Sequence, residues 1–332
     1  AFGALGQTLY VAAFSSDQVG VFNADALADD SFVPGDNIDI PGGGPSGVVY
    51  GTNPQRLYVY SRFDNSVSVV RIQDRQVVDT QPLFTPEAAH TIAGRPFLYN
   101  ADLSSSNGTQ SCGSCHVFGD FDGIAWDLGN PDDVVRDNPN PFILGGGGAT
   151  FHPMKGPMTT QTFRGMVDSG PLHWRGDRTG RDSAGNPIPG ESIEFAAFKQ
   201  FNPAFVGLLG RETELSEPDM ELFADFALRL ALPPNPLRNL DNSLTATQAA
   251  GRNTYMNKNN VDGGLTCNGC HTLDESQNFF GTSGESTFEG RVQEAKGPHL
   301  RNVYTKVGMF FNPGEQMRGF GYLHGGDVPT VD

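Results

Sequence analysis

The chain has 332 residues, enough for about two or three domains, and its 38 Asp and Glu residues outnumber 22 Lys and Arg residues, giving a formal charge of −16. Such an acidic chain is a poor partner for nucleic acids and for anionic membranes. It contains no apolar run that approaches the roughly 20 residues of a membrane-spanning helix. The 42 glycines and 23 prolines predict many loops.

Residues 1–84 predict β structure with an internal repeat. Leu-Tyr-Val at 9–11 recurs at 57–59, and Val-x-Val at 19–21 recurs at 67–69, each 48 residues further on. Each copy predicts a strand, a polar turn and a second strand. The pattern resembles blades of an incomplete β-propeller, and an ordinary small β domain is the alternative. Because two blades cannot close a propeller, the strand edges need a cover, which could be self-association with a second copy.

Three helices are predicted from their capping residues. Thr85 followed by Pro86 predicts a helix that runs to about residue 94. Ser216 and Asp219 resemble a capping box, followed by an apolar stripe that ends at a pair of prolines. Thr245 predicts the start of a third helix, which runs to about residue 258 and leads to the last two cysteines.

All four cysteines lie in two Cys-x-x-Cys-His units, at 112–116 and 267–271. This spacing is the attachment signature of haem c, because the two thiols form thioether bonds to the haem and the next histidine ligates the iron. The sequence therefore predicts two covalently bound haem c groups. The thioether residues are Cys112, Cys115, Cys267 and Cys270, and the proximal iron ligands are His116 and His271.

Zinc and disulfide bonds are the alternative explanations of these cysteines. A zinc site needs four ligands that converge on one ion, and Cys-x-x-Cys pairs would supply them without the trailing histidines. A disulfide framework belongs to short secreted chains, and this chain is too long for two bridges to be its main support. The histidine that follows each pair favours haem.

Covalent haem attachment normally takes place outside the cytoplasm, so we expect a periplasmic or extracellular protein. The first six residues lack the basic start and the long apolar stretch of a signal peptide, so a leader is expected to have been removed. The expected partner is a redox protein, for which a basic surface would complement the acidic chain.

Five further blocks follow one another along the chain, and their order resembles the bacterial diheme cytochrome c peroxidase superfamily, which includes the diheme enzyme of methylamine dehydrogenase maturation. The blocks are 152–157, 162–165, 172–178, 296–302 and 321–326. The chain is especially similar to the branch in which the diheme module follows YVTN-type β-propeller repeats. The resemblance covers about residues 85–332. It implies a mainly α fold with two cytochrome c domains, 85–235 and 236–332, after the β segment.

The resemblance also implies further site residues. His152 lies close to the place of the family's distal histidine, and Trp174 matches its inter-haem tryptophan; the alternatives are a solvent-exposed loop histidine and a core aromatic. A methionine that ligates the second iron would be Met309, or else Met317, although either could be apolar filling. A calcium ion lies between the haems in family peroxidases, but Thr159 stands where an asparagine ligand is expected.

Two other histidines, His299 and His324, are expected to form hydrogen bonds within the fold. One residue departs from the family pattern. Family peroxidases carry a glutamate that moves protons above the iron, and Phe205 stands in its place. Glu191 and Glu194 could replace that glutamate only if their loop brought them over the haem.

The sequence therefore favours a diheme protein that transfers electrons to an external partner. The alternative is a diheme peroxidase or a related oxidoreductase that acts at the first haem. A minority hypothesis is a subunit of a multihaem conducting assembly, formed through the strand edges.

Overall fold

The computed structural model describes residues 1–332 except 2, 4, 5, 32, 34, 36, 54, 139–141, 144–149, 260–264, 283, 284, 289–293, 302, 307–320, 327 and 329–332. The chain divides into two compact units. The first unit comprises Ala1–Cys115 and Asn202–Ala227, and the second comprises His116–Phe201 and Leu228–Asp332. The three-part division expected from the sequence, with boundaries after residues 84 and 235, stays a prediction.

Short strands and helices alternate along the described chain. The strands are β1 (Thr8–Ala13), β2 (Gln18–Asn23), β3 (Ile38–Asp39), β4 (Pro45–Tyr50), β5 (Arg56–Ser61), β6 (Ser66–Arg71), β7 (Gln76–Pro82), β8 (Ala125–Trp126), β9 (Arg136–Asp137), β10 (Phe142–Ile143), β11 (Thr150–Phe151), β12 (Met158–Thr159), β13 (Thr272–Asp274), β14 (Phe279–Gly281), β15 (Glu285–Phe288) and β16 (Glu294–Lys296). The helices are α1 (Ala24–Ala28), α2 (Ala89–Tyr99), α3 (Ala101–Ser104), α4 (Ile193–Lys199), α5 (Pro203–Gly207), α6 (Glu217–Leu228), α7 (Ala246–Asn257) and α8 (Cys267–Cys270).

The expected fold, mainly α with a propeller-like segment in front, is wrong. Helices hold 26% and strands 22% of the described residues, so neither dominates. Only four of the described helices are longer than six residues. The abundant glycine and proline explain this, since both residues shorten helices. The chain up to residue 82 forms two separate antiparallel sheets, β1-β2-β3 and β4-β5-β6-β7.

The two copies of the repeat both form antiparallel strand pairs in the first unit, β1 with β2 and β5 with β6. The copies bury different side chains. Val19 and Val21 are buried in β2, whereas Ser66, Ser68 and Val70 take the buried positions of β6. The valines that follow these serines are only partly buried, so the sequence repeat is not a repeat of the core. Strand β7 is the edge of the four-stranded sheet and is mostly exposed, and self-association along it stays a prediction.

The helices α2, α5 and α6 make a second core in the first unit. The ring of Phe223 lies 6.3 Å from that of Phe97 and 6.1 Å from that of Phe205, centroid to centroid. Gly94 lets α2 approach α6 closely, because a Cβ there would lie 2.0 Å from the carbonyl oxygen of Leu222. Aromatic packing of this kind makes α2 a rigid support for the residues that follow it.

Two of the three helix starts predicted from the sequence are confirmed. The first is wrong, because the N-cap of α2 is Ala88 rather than Thr85, and the helix runs from Ala89 to Tyr99 rather than to about residue 94. Ser216 and Asp219 cap α6, since the backbone N–H of Asp219 donates to the Ser216 hydroxyl and that hydroxyl donates to the Asp219 carboxylate. Thr245 caps α7.

The second unit is made of short strands joined by long loops. Its described sheets pair β8 with β12, β9 with β11 and β13 with β14, while β10, β15 and β16 form a three-stranded sheet. Two of these strands lead directly into segments that belong to the candidate site. Strand β12 ends two residues before Gln161, and β16 ends two residues before Pro298. The short strands therefore fix the backbone at 159–161 and 296–298.

Candidate haem-binding residues

The first pair of cysteines is held by a 3-10 turn of the first unit, Cys112–Ser114, which Cys115 follows directly as the C-cap. Neither cysteine forms a disulfide bond, and both residues are half-buried. Burial raises the pKa of the Cys112 thiol to about 12. A Cβ at Gly113 would lie 2.7 Å from the ring of Tyr99, so the turn packs tightly against the end of α2. The helical support of the first unit thus holds the two thiols within one short turn.

His116 is the first residue of the second unit and has a fixed ring orientation. Its Nδ1 lies 2.7 Å from the carbonyl oxygen of Gln161, and its ring centroid lies 4.2 Å from that of Phe163. Burial lowers the pKa of His116 to about 4, so the imidazole is neutral at pH 7. The proton therefore lies on Nδ1, which donates to the carbonyl, and Nε2 carries the lone pair that a metal ion needs.

The second pair of cysteines lies in α8, and the following histidine repeats this arrangement. Nδ1 of His271 lies 2.7 Å from the carbonyl oxygen of Pro298. The Tyr255 hydroxyl donates to the carbonyl of His271, and burial raises the pKa of that phenol to about 12. A Cβ at Gly297 would lie 2.6 Å from the carbonyl oxygen of Cys270. The Lys-Gly-Pro segment thus packs directly on the second cysteine pair.

These residues fit haem c better than they fit the alternatives. Each Cys-x-x-Cys-His motif offers two thiols outside any disulfide bond and a histidine whose Nδ1 lies at hydrogen-bond distance from a carbonyl, so the donor set is that of a covalently attached, histidine-ligated haem. Disulfide bonds are absent from the four cysteines. Among the residues that the structure describes, no cysteine belongs to a group of three or more ligands able to hold one metal ion. The zinc alternative therefore lacks a converging ligand set.

Trp174 is hydrogen-bonded to both segments that orient the histidines. Its indole Nε1 donates to the carbonyl of Thr159 at 2.6 Å, and its own carbonyl accepts from the backbone N–H of Lys296 at 2.8 Å. Thr159 lies two residues before Gln161, and Lys296 lies two residues before Pro298. Trp174 therefore links the backbone that supports His116 to the backbone that supports His271.

The loop that carries Trp174 has a counterpart near the end of the chain, which the sequence analysis missed. Residues 172–178 and 322–328 are each closed by an antiparallel bridge between their first and last residues. His173 and Leu323, second in each loop, both have a positive φ, of 71° and 61°. In each loop the fifth residue, a glycine, donates its N–H to the second. The shared Gly-Asp at positions five and six was the available sequence signal.

His324 occupies the third position of the second loop, as Trp174 does in the first. Its ring is buried and its centroid lies 6.3 Å from the Trp174 ring. Its carbonyl accepts from the N–H of Thr159 at 2.7 Å, so both loops are hydrogen-bonded to Thr159 of β12. His299 is different: burial lowers its pKa to about 3, and its Nδ1 has no hydrogen-bond partner among the described residues.

His152, the expected distal ligand, is exposed and has the opposite tautomer from His116. Its Nδ1 accepts a hydrogen bond from the N–H of Met154 at 3.1 Å, so Nε2 carries the proton in the neutral ring. Its carbonyl accepts from the Arg175 guanidinium at 2.6 Å. The backbone of His152 is thus fixed, but this ring is not oriented to offer Nε2 to a metal ion.

The two candidate methionine ligands, Met309 and Met317, both lie outside the described residues. Thr159 is buried, and both its backbone groups are used, by Trp174 and by His324. A calcium ligand at Thr159 would therefore have to be its hydroxyl, which has no hydrogen-bond partner in the described part of the chain.

Phe205 stands where the family's glutamate is expected, and this residue and the two upstream glutamates all make contacts within the fold. Phe205 is buried in the core of the first unit against Phe223. Oε1 of Glu194 accepts from the backbone N–H of Gly170 at 3.0 Å, and Oε1 of Glu191 pairs with the Lys199 ammonium at 2.6 Å. Both glutamates are thus bound to groups of their own surroundings.

A partly buried group of charged and polar side chains, His173, Asp177 and Arg178, flanks Trp174 and was not foreseen either. His173 Nδ1 donates to Asp177 Oδ1 at 2.6 Å, and Asp177 Oδ2 accepts from Arg178 at 3.1 Å. Burial alone would raise the pKa of Asp177, but the hydrogen bond from His173 and the nearby guanidinium groups outweigh it and hold that pKa well below its usual range. Burial lowers the pKa of His173.

No family model matches the chain, and no curated protein does. Among solved structures, the chain is similar to hydrazine synthase of Kuenenia stuttgartiensis, pressurised with 20 bar xenon. The identity is 20%, the TM-score is 0.44, and the match covers 74% of this chain and 78% of that chain. None of the helices that the structure describes has the length and apolar character needed to span a membrane.

Proposed function

We propose that the chain is a diheme c-type cytochrome that transfers electrons between two covalently bound haems and an external redox partner. One observation carries the proposal. The histidine after each Cys-x-x-Cys pair places Nδ1 2.7 Å from a backbone carbonyl, of Gln161 for His116 and of Pro298 for His271. Ligating histidines characteristically donate their second ring N–H in this way, which fixes the ring and makes Nε2 more basic.

Haem c supplies the one-electron iron couple, and the chain supplies attachment, ligation and orientation. The two thiols of each Cys-x-x-Cys-His motif would form the thioether bonds. His116 and His271 would ligate through Nε2. Trp174, joined by hydrogen bonds to both histidine-orienting segments, is the residue best placed to hold the two haem-bearing segments in register.

Reduction of peroxide at the first haem is a second candidate, and the tautomer of His152 favours it. The neutral His152 ring carries its proton on Nε2, so it leaves the iron face without that ligand until the ring turns. An open iron face is the first requirement of a peroxidase. The second requirement is a proton carrier above the iron. Phe205 cannot meet it, because it is buried in the first unit and its side chain cannot transfer protons.

The proposed partner is a basic redox protein, and the proposed location is outside the cytoplasm. A chain with a formal charge of −16 would attract a basic redox protein through long-range electrostatic steering, and that association would weaken with salt. Periplasmic or extracellular location is proposed because haem c is attached there. The multihaem assembly stays a minority proposal, supported only by the exposed edge of β7.

Covalent haem is tested by the mass of the denatured chain after expression with a c-type maturation system. The proposal predicts a mass increase of two haems in the wild type. The double variant C112A/C115A should carry one haem, and so should C267A/C270A. A wild-type chain without covalent haem would refute the proposal.

The two candidates separate on carbon monoxide binding by the reduced protein. An electron-transfer protein with six-coordinate irons should bind carbon monoxide poorly and show only low-spin spectra. A high-spin ferric band with rapid peroxide turnover would favour the peroxidase. The H152Q variant distinguishes the source, because it should increase carbon monoxide binding only if His152 closes the first iron.

A further inference from the structure

His173 and Asp177 lie in the same loop of the second unit and form a close pair. Nδ1 of His173 lies 2.6 Å from Oδ1 of Asp177. The pKa of Asp177 lies well below its usual range, so its carboxylate is ionised and can only accept a hydrogen bond. Burial lowers the pKa of His173 below the ordinary 6.5, so the ring is neutral at pH 7. Its single proton is therefore on Nδ1, and Nε2 carries the lone pair.

Nε2 of His173 is available to a ligand. In the part of the chain that the structure describes, Nδ1 is the only one of the two ring nitrogens with a hydrogen-bond partner. The side chain is 20% exposed, and Nε2 is not fully buried. Histidines that ligate a metal ion characteristically donate their other ring N–H to a carboxylate or a carbonyl. His116 and His271 do so to carbonyls, and His173 does so to a carboxylate.

The orientation of the His173 ring is supported on two sides. The second carboxylate oxygen of Asp177 accepts from Arg178 at 3.1 Å. The guanidinium carbon of Arg178 lies 5.4 Å from the centre of the Phe201 ring. The same phenyl ring packs edge-on against His173, with 6.0 Å between the ring centroids. The imidazole is therefore held in one orientation before any ligand binds.

The loop does not need this histidine in order to close. In the loop 322–328, Leu323 occupies the position of His173, with a φ of 61° against 71°. Gly326 donates to the carbonyl of Leu323 at 3.2 Å, as Gly176 does to that of His173 at 3.1 Å. A positive φ is uncommon outside glycine, and residues held in it cluster at functional sites. Since the same backbone forms around a leucine, the histidine and its carboxylate need another explanation.

A row of aromatic rings connects His173 to His116, the first candidate iron ligand. The centroid distances are 4.2 Å from His116 to Phe163, 5.8 Å from Phe163 to Phe198, 5.9 Å from Phe198 to Phe201 and 6.0 Å from Phe201 to His173. Trp174, the next residue, donates to the carbonyl of Thr159, two residues before the carbonyl that orients His116. His173 therefore belongs to the same aromatic core as the first candidate iron ligand.

His152, the distal ligand expected from the sequence, is held by the same loop but has the wrong tautomer. Arg175 donates to the carbonyl of His152 at 2.6 Å. The ring of His152 accepts at Nδ1 from the N–H of Met154, so its proton is on Nε2. His173 has the lone pair on Nε2 that His152 lacks.

We propose that His173, through Nε2, is the second axial ligand of the iron that His116 ligates, and that Asp177 positions its ring. This inference rests on the proposed haem function. Histidine on both axial positions leaves the iron no open position for a substrate, which suits a haem that only transfers electrons.

The test compares the haem-loaded wild type with H173L, which places at this position the side chain that the loop 322–328 carries there. Electron paramagnetic resonance of the ferric protein reports the spin state, and carbon monoxide binding to the reduced protein reports an open iron. The wild type should have two low-spin haems. In H173L one of the two should become high-spin and bind carbon monoxide. The matched control is H90Q, because His90 pairs with Asp225 in the first unit and should affect neither haem.

The single-haem variants identify the iron. In C267A/C270A, which keeps the first haem, adding H173L should make the remaining iron high-spin. In C112A/C115A, which keeps the second haem, adding H173L should change nothing. The reverse pattern would assign His173 to the second iron and overturn the proposal.

H173M separates ligation from a purely structural role. Methionine has a volume similar to that of leucine, but its sulfur can ligate iron. H173M should therefore keep both haems low-spin and raise the reduction potential of one, because methionine ligation raises the potential of a haem. Unchanged potentials of both haems would contradict the ligand role. Should H173L fold poorly in urea unfolding, H173M carries the test.

The remaining outcomes separate this proposal from the haem function. A wild type without haem would refute the proposed function itself. If both haems are loaded and H173L leaves both low-spin with unchanged carbon monoxide binding, the second ligand is refuted while the haem function stands. If H152Q opens an iron and H173L does not, the ligand is His152. A wild type with one high-spin iron, whose peroxide turnover is lost in H173L, would make His173 a proton carrier and the ligand assignment wrong.

Discussion

The indole N–H of Trp174 donates to the carbonyl of Thr159 at 2.6 Å, two residues before the carbonyl that orients His116. The carbonyl of the same tryptophan accepts from Lys296, two residues before the carbonyl that orients His271. One side chain and its own backbone therefore connect the supports of both candidate iron ligands. We therefore expect a substitution of Trp174 to affect both haems.

The W174F variant tests this connection by keeping an aromatic ring and removing the N–H. Leaving the Thr159 carbonyl without its donor should lower the free energy of unfolding by about 1–3 kcal/mol, measured in urea. Electron transfer between the haems after flash reduction should slow. Trp126 is the matched control, because it is 39% exposed and donates to the partly exposed Asp122, so W126F should cost less than about 0.5 kcal/mol. Equal effects of the two variants would contradict the account.

Gly297 should be required for the geometry at the second haem. A Cβ at this position would lie 2.6 Å from the carbonyl oxygen of Cys270, so G297A should displace the Pro298 carbonyl from His271. We expect a loss of about 1–3 kcal/mol and a changed spectrum of one haem. The control G251A, in helix α7 with nothing within 4 Å of its new Cβ, should stabilise the protein by about 0.5–1 kcal/mol.

Placing a glutamate at Phe205 should not create a peroxidase. Phe205 is buried against Phe223, so F205E would bury a carboxylate in an apolar core and destabilise the first unit by several kcal/mol. Val206 is the neighbouring control, 40% exposed, and V206E should cost less than about 0.5 kcal/mol. Urea unfolding and peroxide turnover measure the two expectations. Rapid turnover by a stable F205E protein would show that the position faces the iron.

His299 should make stability depend on pH. Burial lowers its pKa to about 3 in the folded state, whereas the unfolded ring has its ordinary pKa of 6.5. Between these values the unfolded chain binds a proton that the folded chain does not, so the free energy of unfolding rises as pH increases from about 3 to 6.5. In H299Q, urea unfolding between pH 4 and 6 should show a slope reduced by about one proton. An unchanged slope would mean that His299 is protonated in the fold.

The parts of the fold that depend on local sequence could be predicted. The helix starts at Ser216 and Thr245 could be predicted from the N-cap residue itself, and for Ser216 also from its partner Asp219, which lies within one turn. The strand pairs of the repeat were recognised by alternation. The overall class was predicted wrongly, because strands such as β8 and β12 have two residues each and form only through pairing of distant segments.

The same distinction between local sequence and distant contacts applies to the candidate site. The Cys-x-x-Cys-His units were evident, since their chemistry is encoded in five consecutive residues. The carbonyls of Gln161 and Pro298 were not, because every residue has a carbonyl and only the tertiary fold selects which one meets a histidine. His152 was chosen by its place in the chain, and its tautomer depends on a bond to the N–H of Met154.

The most direct test of the central claim is an anaerobic reductive titration of the purified protein, followed by its haem absorption. The account predicts that each chain takes up two electrons in two one-electron steps and shows reduced low-spin c-type bands of two haems. Uptake of fewer than two electrons per chain, or no haem band at all, would contradict it.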